Sequence, residues 1–328
     1  MALTRDDLFA SPDHYLHSFE GNTAVFMPMD RTSYHRSIFL DGRISPAANG
    51  AMRVPVSALE AAPRQPAATG WIFHVAHCGS TLLARALDHL DSNLVLREPL
   101  ALRQTAIARA PGEIAADRLA LVSAMLSKRY RVDTPTIVKA NVPVNFLLPA
   151  LATLDPNAPA IFLYLPLHDY LLAILRSDNH REWLRRVTTL LAPWLGDMER
   201  WSDAERVAAL WLGQIRAFAA GLETMASARS LNAEVFFAEP AVTLATAATV
   251  LRVPLSPECV ERTISGALFS TYSKNPAIAF DNSERLARRA TLKTILADEI
   301  AQAQRWIEPR GAQTGAALAA LEARRLVG

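Results

Sequence analysis

Most of what the sequence indicates about its fold lies in residues 71–83, which read Trp71-Ile72-Phe73-His74-Val75-Ala76-His77-Cys78-Gly79-Ser80-Thr81-Leu82-Leu83. The segment begins after a glycine with an apolar run of the length of a buried strand, and a tight Gly-Ser-Thr turn follows. Apolar side chains then recur at helical spacing, at Leu82, Leu83, Ala86, Leu87 and Leu90. The pattern predicts a strand, a turn and an amphipathic helix in that order.

A turn of this kind suits an anionic group, because a helix N-terminus presents unpaired backbone N–H groups and about half a positive charge. Ser80 and Thr81 would add two hydroxyl groups at the same place. The nucleotide-kinase phosphate-loop motif is not met, since no lysine precedes Ser80 and His74 occupies the position of its first glycine. The alternative is that Gly-Ser-Thr only caps a helix, a position that serine and threonine favour.

Four further apolar runs have the length of strands and alternate with helical patterns. They are residues 94–96, 136–139, 161–164 and 235–237. This alternation predicts an α/β fold, in which helices cover both faces of a central, mainly parallel five-stranded sheet. In open sheets of this type ligands bind beyond the C-terminal ends of the strands, where the turn at His77, Glu98 and Lys139 all fall.

The sequence before this domain reads as a small lead segment, residues 1–70. Short strands are predicted at residues 23–27 and 37–40, followed by a linker punctuated by Pro55, Pro63 and Pro66. We therefore expect two regions, the lead segment and an α/β domain of residues 71–328.

The second half of the α/β domain is predicted to be mainly helical. Ser202 and Glu205 have the spacing of a capping box, and Ser256-Pro257 reads as an N-cap followed by proline at the first helical position. A helix beginning near Ile114 precedes the third strand, and one late helix is expected over residues 286–300. Residues 269–280 are expected to be irregular.

Composition and charge limit the function. The chain of 328 residues is 51% hydrophobic and 20% charged, which excludes a disordered protein and allows a large core. A formal net charge of +2 without a long basic run argues against a nucleic-acid partner. Cys78 and Cys259 are too few for a disulfide framework, and no signal peptide or membrane span is recognisable. We expect a cytoplasmic protein with a small-molecule partner; a homo-oligomer is left open.

The turn resembles the donor-binding loop of the sulfotransferase superfamily, which reads Pro-Arg-Ser-Gly-Thr-Thr-Leu-Leu between a strand and a helix. Residues 76–83 lie in that register, with His77 at the basic position. The resemblance implies a three-layer fold of the P-loop type and the donor 3′-phosphoadenosine-5′-phosphosulfate (PAPS), without a metal. It also implies that the 5′-phosphosulfate is held by His77, Cys78, Gly79, Ser80, Thr81 and Leu82.

The third strand carries a second resemblance. Ile137-Val138-Lys139-Ala140-Asn141-Val142-Pro143 is similar to the Val-Lys-Thr-His-Leu-Pro segment of cytosolic sulfotransferases. In those enzymes the lysine stabilises the transferring group and the histidine is the catalytic base. Lys139 matches the lysine, but Asn141 replaces the histidine, and an amide cannot accept a proton at neutral pH.

Glu98 is the candidate for the missing base. The tyrosylprotein sulfotransferases use a glutamate just after the second strand, and a count without gaps from the loop places it at Glu98. This branch is therefore the closest in pattern, with Glu98, Lys139 and His77 as the catalytic set. The alternatives are that Lys139 is an ordinary strand-end lysine, that Glu98 pairs with Arg97 or caps a helix, and that His74 or His77 is the base.

The 3′-phosphate site of the superfamily is matched less well. Its arginine and serine fall at Leu165 and Ala173, so both hydrogen-bonding side chains are missing. The resemblance points to Lys274, at the place of a late basic loop, as the first replacement, and Arg176 is the second.

The resemblance implies sulfuryl transfer from PAPS to a hydroxyl or amine of an acceptor that the sequence does not identify. Two alternatives keep the same layout: a non-catalytic or altered-donor nucleotide-binding protein, supported by Leu165 and Ala173, and a phosphotransferase. The phosphotransferase would require a loop lysine and a magnesium-binding aspartate, and neither is recognisable.

Overall fold

A computed structural model describes residues 4–60, 65–108 and 116–327. Its strands, in chain order, are β1 His14–Glu20, β2 Thr23–Pro28, β3 Met52–Pro55, β4 Thr69–His74, β5 Leu94–Arg97, β6 Thr136–Lys139, β7 Ala160–Tyr164, β8 Ala228–Asn232, β9 Thr271–Tyr272 and β10 Asn275–Ala279. Pro63 and Ile114, which the sequence analysis singled out, lie outside the described ranges.

Helices occupy most of the chain between and after the strands. They are α1 Arg5–Ala10, α2 Arg31–Arg36, α3 Val56–Glu60, α4 Ser80–Ala86, α5 Leu100–Ile107, α6 Ala116–Leu126, α7 Leu148–Leu154, α8 Leu167–Leu175, α9 Asp178–Leu190, α10 Ala192–Leu195, α11 Asp203–Thr224, α12 Ala233–Ala238, α13 Pro240–Val250, α14 Pro257–Ser265, α15 Asn282–Ile295, α16 Ala297–Ile307 and α17 Gly311–Ala323. Short 3₁₀ helices lie at Val142–Leu147 and Glu308–Arg310.

The central sheet has five strands in the order β5-β6-β4-β7-β8, and every neighbouring pair is parallel. Strands β4 to β7 are buried along their whole length, because helices cover both faces. The predicted α/β fold with a central parallel five-stranded sheet is confirmed. Strands β5 and β6 lie on one side of β4, and β7 and β8 lie on the other. The loop after β4 therefore lies at a topological switch point of the sheet.

The predicted fifth strand at residues 235–237 is wrong. These residues belong to helix α12, which begins where the Asn232 side chain accepts a hydrogen bond from the Glu234 N–H at 3.0 Å. The fifth strand is β8, whose sequence, Ala-Arg-Ser-Leu-Asn, contains little of the apolar pattern that marks a strand. A short apolar run fits either a buried helix or a buried strand, and here the polar β8 pairs with β7 at the edge of the sheet.

The N-terminal region forms a separate three-stranded antiparallel sheet in the order β1-β2-β3. The strand predicted at residues 23–27 is confirmed as β2, whereas the one at residues 37–40 is wrong. Instead, Leu40 runs beside the end of β5: its N–H donates to the Arg97 carbonyl at 2.8 Å and its carbonyl accepts from Leu100 at 3.2 Å. Apolar side chains of this region join the core of the central sheet, and the boundary at residue 70 stays a prediction.

A buried ion pair between Arg97 and Asp88 connects the central sheet to helix α2 of the N-terminal region. The Arg97 guanidinium donates to Asp88 at 2.6 Å and to the Tyr34 and Ser37 carbonyls, and both charged side chains are 1% exposed. Arg31 donates to the same carboxylate at 2.6 Å. Burial acts to raise the pKa of Asp88, but its hydrogen bonds and the two arginines lower it to about 2.

The helical C-terminal half differs from the sequence prediction in two places. The capping box of Ser202 and the N-cap at Ser256 are confirmed. The late helix is two helices, α15 and α16, which meet at Leu296. Residues 269–280 are not wholly irregular, because β9 and β10 pair there as a short antiparallel hairpin.

Two smaller findings concern the end of helix α4 and the question of membrane-spanning helices. Helix α4 ends at Ala86, so Leu90 lies beyond it and is 47% exposed rather than on its apolar face. Among the described helices, none has both the length and the apolar character needed to cross a membrane.

Candidate functional site

The loop between β4 and α4 has an unusual backbone. Ala76, His77 and Gly79 have φ angles of 72°, 51° and 80°, in the left-handed region that side chains other than glycine seldom adopt. A Cβ at Gly79 would lie 2.8 Å from the Phe237 ring, so the turn requires glycine on both counts. The loop therefore turns sharply at the end of β4 and comes close to α12.

This loop forms one wall of a cavity of about 160 Å³, which we call the loop cavity. All eight residues predicted to bind the donor line it: His77, Cys78, Gly79, Ser80, Thr81, Leu82, Arg176 and Lys274. The opposite wall comes from Phe237, Arg285 and the β9–β10 hairpin. The eight predicted residues, from three separate parts of the chain, are thus brought together, although their role in binding stays a prediction.

The polar groups of the loop differ in what they offer a ligand. The Thr81 hydroxyl is buried and has no hydrogen-bond partner within the described parts of the chain. A buried hydroxyl without a partner costs free energy, so a ligand that bonds to it would gain that energy back. The Cys78 thiol points to the Leu163 carbonyl at 3.8 Å, and burial raises its pKa to about 11, so Cys78 contributes its backbone only.

Positively charged and titratable side chains surround the same cavity. His77 contacts His180 of α9, with ring centroids 4.3 Å apart, and Arg176 donates to Nδ1 of His180 at 3.0 Å. Loss of hydration, followed by the nearby cations, lowers the pKa of His77 well below its usual value and that of His180 to about 4. Both imidazoles are therefore neutral at pH 7.

Glu98 and Lys139 form an ion pair just behind the cavity. Strands β5 and β6 are adjacent and parallel, with Arg97 opposite Lys139, so the next residue, Glu98, lies beside the Lys139 side chain. The Lys139 ammonium donates to Glu98 Oε1, and the Glu98 N–H donates to the Lys139 carbonyl at 2.8 Å. The Lys139 side chain is 1% exposed and that of Glu98 17% exposed, so only Glu98 is open to an incoming molecule.

The protonation state of Glu98 follows from its neighbours. Burial acts to raise its pKa, but Lys139 and Lys274 leave the pKa below its ordinary value, so the carboxylate is ionised. Arg97, the alternative partner, pairs with Asp88 instead. Glu98 itself has a φ of 57°, and a side chain held in that conformation is typical of a functional position.

Two more side chains point at the Glu98 carboxylate. Asn141, at the position of the family's histidine, has its Nδ2 3.4 Å from Oε2. His74 accepts the Ala76 N–H at Nδ1 at 3.0 Å, so its proton is on Nε2, which lies 3.8 Å from Glu98 Oε1. Burial lowers the pKa of His74 well below its usual value, so a neutral imidazole faces the carboxylate.

Lys274 connects the loop cavity to this ion pair. Its ammonium and that of Lys139 lie 5.9 and 5.8 Å from the centroid of the Phe39 ring. Although Lys274 as a whole is exposed, its ammonium is withdrawn from water, which lowers its pKa, while nearby Glu98 acts to raise it. Lys274 therefore lies close to Glu98 and Lys139, two of the catalytic candidates.

A second cavity, of about 80 Å³, adjoins the first and contains Leu165 and Ala173, the positions where the superfamily has its arginine and serine. We call it the arginine cavity, because it is lined by Arg176, Arg285, Arg288 and Arg289. Glu234 pairs with Arg285 and Arg289, and Asp169 also pairs with Arg289. Arg288 donates to the Tyr272 hydroxyl at 2.9 Å.

The three arginines of α15 were not among the site residues predicted from the sequence. Their spacing, at positions i, i+3 and i+4 of one helix, places them on one face, and that signal was present in the sequence. What the sequence did not show is that this face packs toward Leu165 and Ala173. In the described parts of the chain, no group of three or more His, Cys, Asp or Glu side chains is arranged to hold a metal ion.

The chain was compared with protein families, curated proteins and solved structures. No protein-family model matches the sequence, and no curated protein matches it. Among solved structures, the chain is similar to a "Sulfotransferase Domain from the Curacin Biosynthetic Pathway", with 14% identity and a TM-score of 0.43. The similarity covers 66% of this chain and 84% of that chain. At this identity and score we transfer no residue role from that domain.

Proposed function

We propose that the protein transfers a sulfuryl group from PAPS to a hydroxyl or amine of a small-molecule acceptor. The observation that carries this proposal is the convergence of the eight predicted donor-binding residues on one cavity, next to a buried Glu98–Lys139 pair. The resemblance of residues 76–83 and 137–143 to sulfotransferase motifs supports the same assignment.

The loop cavity fits the phosphosulfate end of such a donor. Thr81 presents a buried hydroxyl without a partner, and Arg176 and Lys274 supply positive charge, which suits an anion with several oxygen acceptors. PAPS would supply the sulfuryl group there, and no other chemistry is required of it.

Glu98 acts as the general base in this proposal. The acceptor enters from the exposed side of Glu98, and the carboxylate removes its proton as the new bond to sulfur forms. The bond between sulfur and the 5′-phosphate oxygen of PAPS breaks in the same step, and 3′,5′-ADP leaves. Lys139 must first release Glu98, and an anionic group in the loop cavity would attract its ammonium. Losing that neighbour raises the pKa of Glu98 toward the range where a general base works best, while Asn141 still donates to the carboxylate.

The arginine cavity is our candidate for the 3′-phosphate. It adjoins the loop cavity, and both are lined by His77, Ala173 and Arg176. Within it, Arg285 and Arg289 are paired with carboxylates, whereas among the described residues Arg288 donates to a tyrosine hydroxyl and Arg176 to His180. We therefore assign the 3′-phosphate to Arg176 and Arg288, and place Lys274, the first candidate from the sequence, at the sulfuryl end.

Calorimetric titration with two nucleotides tests this assignment. A charge-assisted hydrogen bond is worth about 1.5–3 kcal/mol, so the protein should bind 3′,5′-ADP at least about tenfold more tightly than 5′-AMP. Arg288→Ala should remove most of that preference while leaving the affinity for 5′-AMP nearly unchanged. Lys293→Ala serves as the control, because Lys293 is exposed on the same helix and lines neither cavity.

Equal affinity of the wild-type protein for the two nucleotides would contradict a PAPS donor and favour the non-catalytic or altered-donor alternative. A preference that survives Arg288→Ala but disappears in Lys274→Ala would return the 3′-phosphate to Lys274. Arg176→Ala is less informative alone, since Arg176 lines both cavities.

Thr81→Ala should weaken anion binding at the loop. We expect inorganic sulfate to raise the melting temperature of the wild-type protein without divalent metal, and Thr81→Ala to need several-fold more sulfate for the same increase, since one hydrogen bond contributes about 1 kcal/mol. Thr153→Ala, on an exposed position of α7, is the control. Stabilisation by nucleotide that requires magnesium would instead favour a phosphotransferase.

A further inference from the structure

His77, at the position where the resemblance places a basic side chain, packs against a second histidine, His180. His77 lies on the loop after β4 and His180 in α9, and their rings meet edge to face with centroids 4.3 Å apart. The Trp183 ring, 5.2 Å from His77, closes the other side of the contact. The two imidazoles therefore form a packed pair, which we call the histidine pair; His77 lines the loop cavity and His180 packs against His77.

The charged groups that face this pair are positive. Lys274 approaches from the β9–β10 hairpin, Arg176 from the end of α8, and Arg285 lines the same cavity from α15. His74, at the end of β4, also acts on His77, and the Arg176 Nε donates to His180 Nδ1 at 3.0 Å. Among the described side chains that line the loop cavity there is no carboxylate. Asp169 and Glu234, in the arginine cavity, are paired with arginines.

An anion in the loop cavity would favour the protonated form of the imidazoles over the neutral form. Without a ligand, burial and the surrounding cations keep both imidazoles neutral. Each negative charge about 4 Å away, at an effective dielectric constant of about 20, favours the protonated form enough to raise a pKa by about 3, so a doubly charged anion such as sulfate raises it further. The short distance between the two rings opposes a second proton, because two imidazolium ions in contact repel each other.

We propose that His77 binds the anionic group of the ligand and shares one proton with His180, so that the protein takes up about one proton from solvent for each anion bound. This inference rests on the proposed function for the location of the anion, and it goes beyond it by assigning to His180, which contacts His77, a share of the proton that the anion attracts. The proton comes from the buffer and is released when the anion leaves, so no other reactant is involved.

Calorimetric titration of inorganic sulfate into the full-length protein tests the proposal, because sulfate keeps its double charge across the neutral range. Titrations at about pH 7 in two buffers with different heats of ionisation give the number of protons taken up. We expect about one proton to be taken up for each sulfate bound. The association constant for sulfate should then fall about tenfold for each pH unit between about pH 6 and pH 8. Nitrogen NMR of the ring nitrogens should show His77 or His180 becoming imidazolium when sulfate is added.

Three variants assign the proton to its residues. His77→Lys carries a permanent charge, so it should bind sulfate with proton uptake and pH dependence largely lost. His77→Asn, which tolerates the left-handed backbone, should bind sulfate at least several-fold more weakly. His17→Asn changes a histidine of β1 that lines neither cavity and should leave the proton number at about one.

Sulfate binding without proton uptake would overturn the inference and leave the proposed donor site intact. Proton uptake that persists unchanged in His77→Lys would place the proton outside the histidine pair and also overturn it. If sulfate binds with one proton but 3′,5′-ADP shows no preference over 5′-AMP, the inference stands and the PAPS donor fails. Absence of sulfate binding in a folded wild-type protein would overturn both.

Discussion

Glu98→Gln should lower the rate of sulfuryl transfer by about 10²- to 10⁴-fold, the usual contribution of a general base. The carboxylate is ionised, lies at the end of β5 and is the exposed member of its pair with Lys139, so it is placed to accept the acceptor's proton. Glutamine keeps the size of the side chain and an oxygen for Lys139, but cannot take a proton. Donor binding should change little, because the base acts on the acceptor.

This prediction can be measured before the acceptor is identified. Slow conversion of PAPS to 3′,5′-ADP, with water as acceptor, needs the same base and can be followed with excess enzyme. Glu223→Gln, on an exposed position of α11, is the control and should keep wild-type activity. Undiminished activity in Glu98→Gln would return the role of base to a histidine, with His74 and His77 the remaining candidates.

Asp88→Asn should lower the free energy of unfolding by about 3–5 kcal/mol, the loss expected when one partner of a buried ion pair is removed. The Arg97 guanidinium is 1% exposed and would keep only backbone carbonyls and an amide as partners. Urea denaturation measures the change, and Asp91→Asn, at an exposed neighbouring position, should leave the midpoint nearly unchanged. A loss below about 1 kcal/mol would contradict the role given to this pair.

The same carboxylate predicts a pH dependence of stability. Because folding lowers the pKa of Asp88 from 3.8 to about 2, its stabilising contribution is present above pH 3.8 and is lost as the pH falls toward 2. The stability of Asp88→Asn should therefore fall less steeply over this interval than that of the wild-type protein. If the wild-type protein and Asp88→Asn lose stability equally steeply over this interval, a group other than Asp88 controls the loss of stability in acid.

The parts of the fold that the sequence predicted correctly depend on local signals. The strand, turn and helix around Gly79 could be recognised because the apolar spacing and the glycine requirement are set by neighbouring residues. The meeting of Glu98 and Lys139 followed from one general rule, that the ends of parallel strands lie at the same edge of a sheet.

The parts that it did not predict depend on distant contacts. Strand β8 is polar and is a strand because it pairs with β7, whereas the apolar residues 235–237 become helical beside it. Arg288 reaches the arginine cavity only because α15 packs against α8, and Lys274 reaches the Glu98 pair only because the β9–β10 hairpin folds over the loop. No sequence pattern indicates that α15 packs against α8 or that the β9–β10 hairpin folds over the loop.

A crystal structure of the protein with 3′,5′-ADP, grown without divalent metal, tests the central claim most directly. We predict the 5′-phosphate in the loop cavity, within hydrogen-bond distance of the Thr81 hydroxyl, and the 3′-phosphate in the arginine cavity against Arg176 and Arg288. A nucleotide bound in the opposite direction, or at a site away from both cavities, would contradict the account.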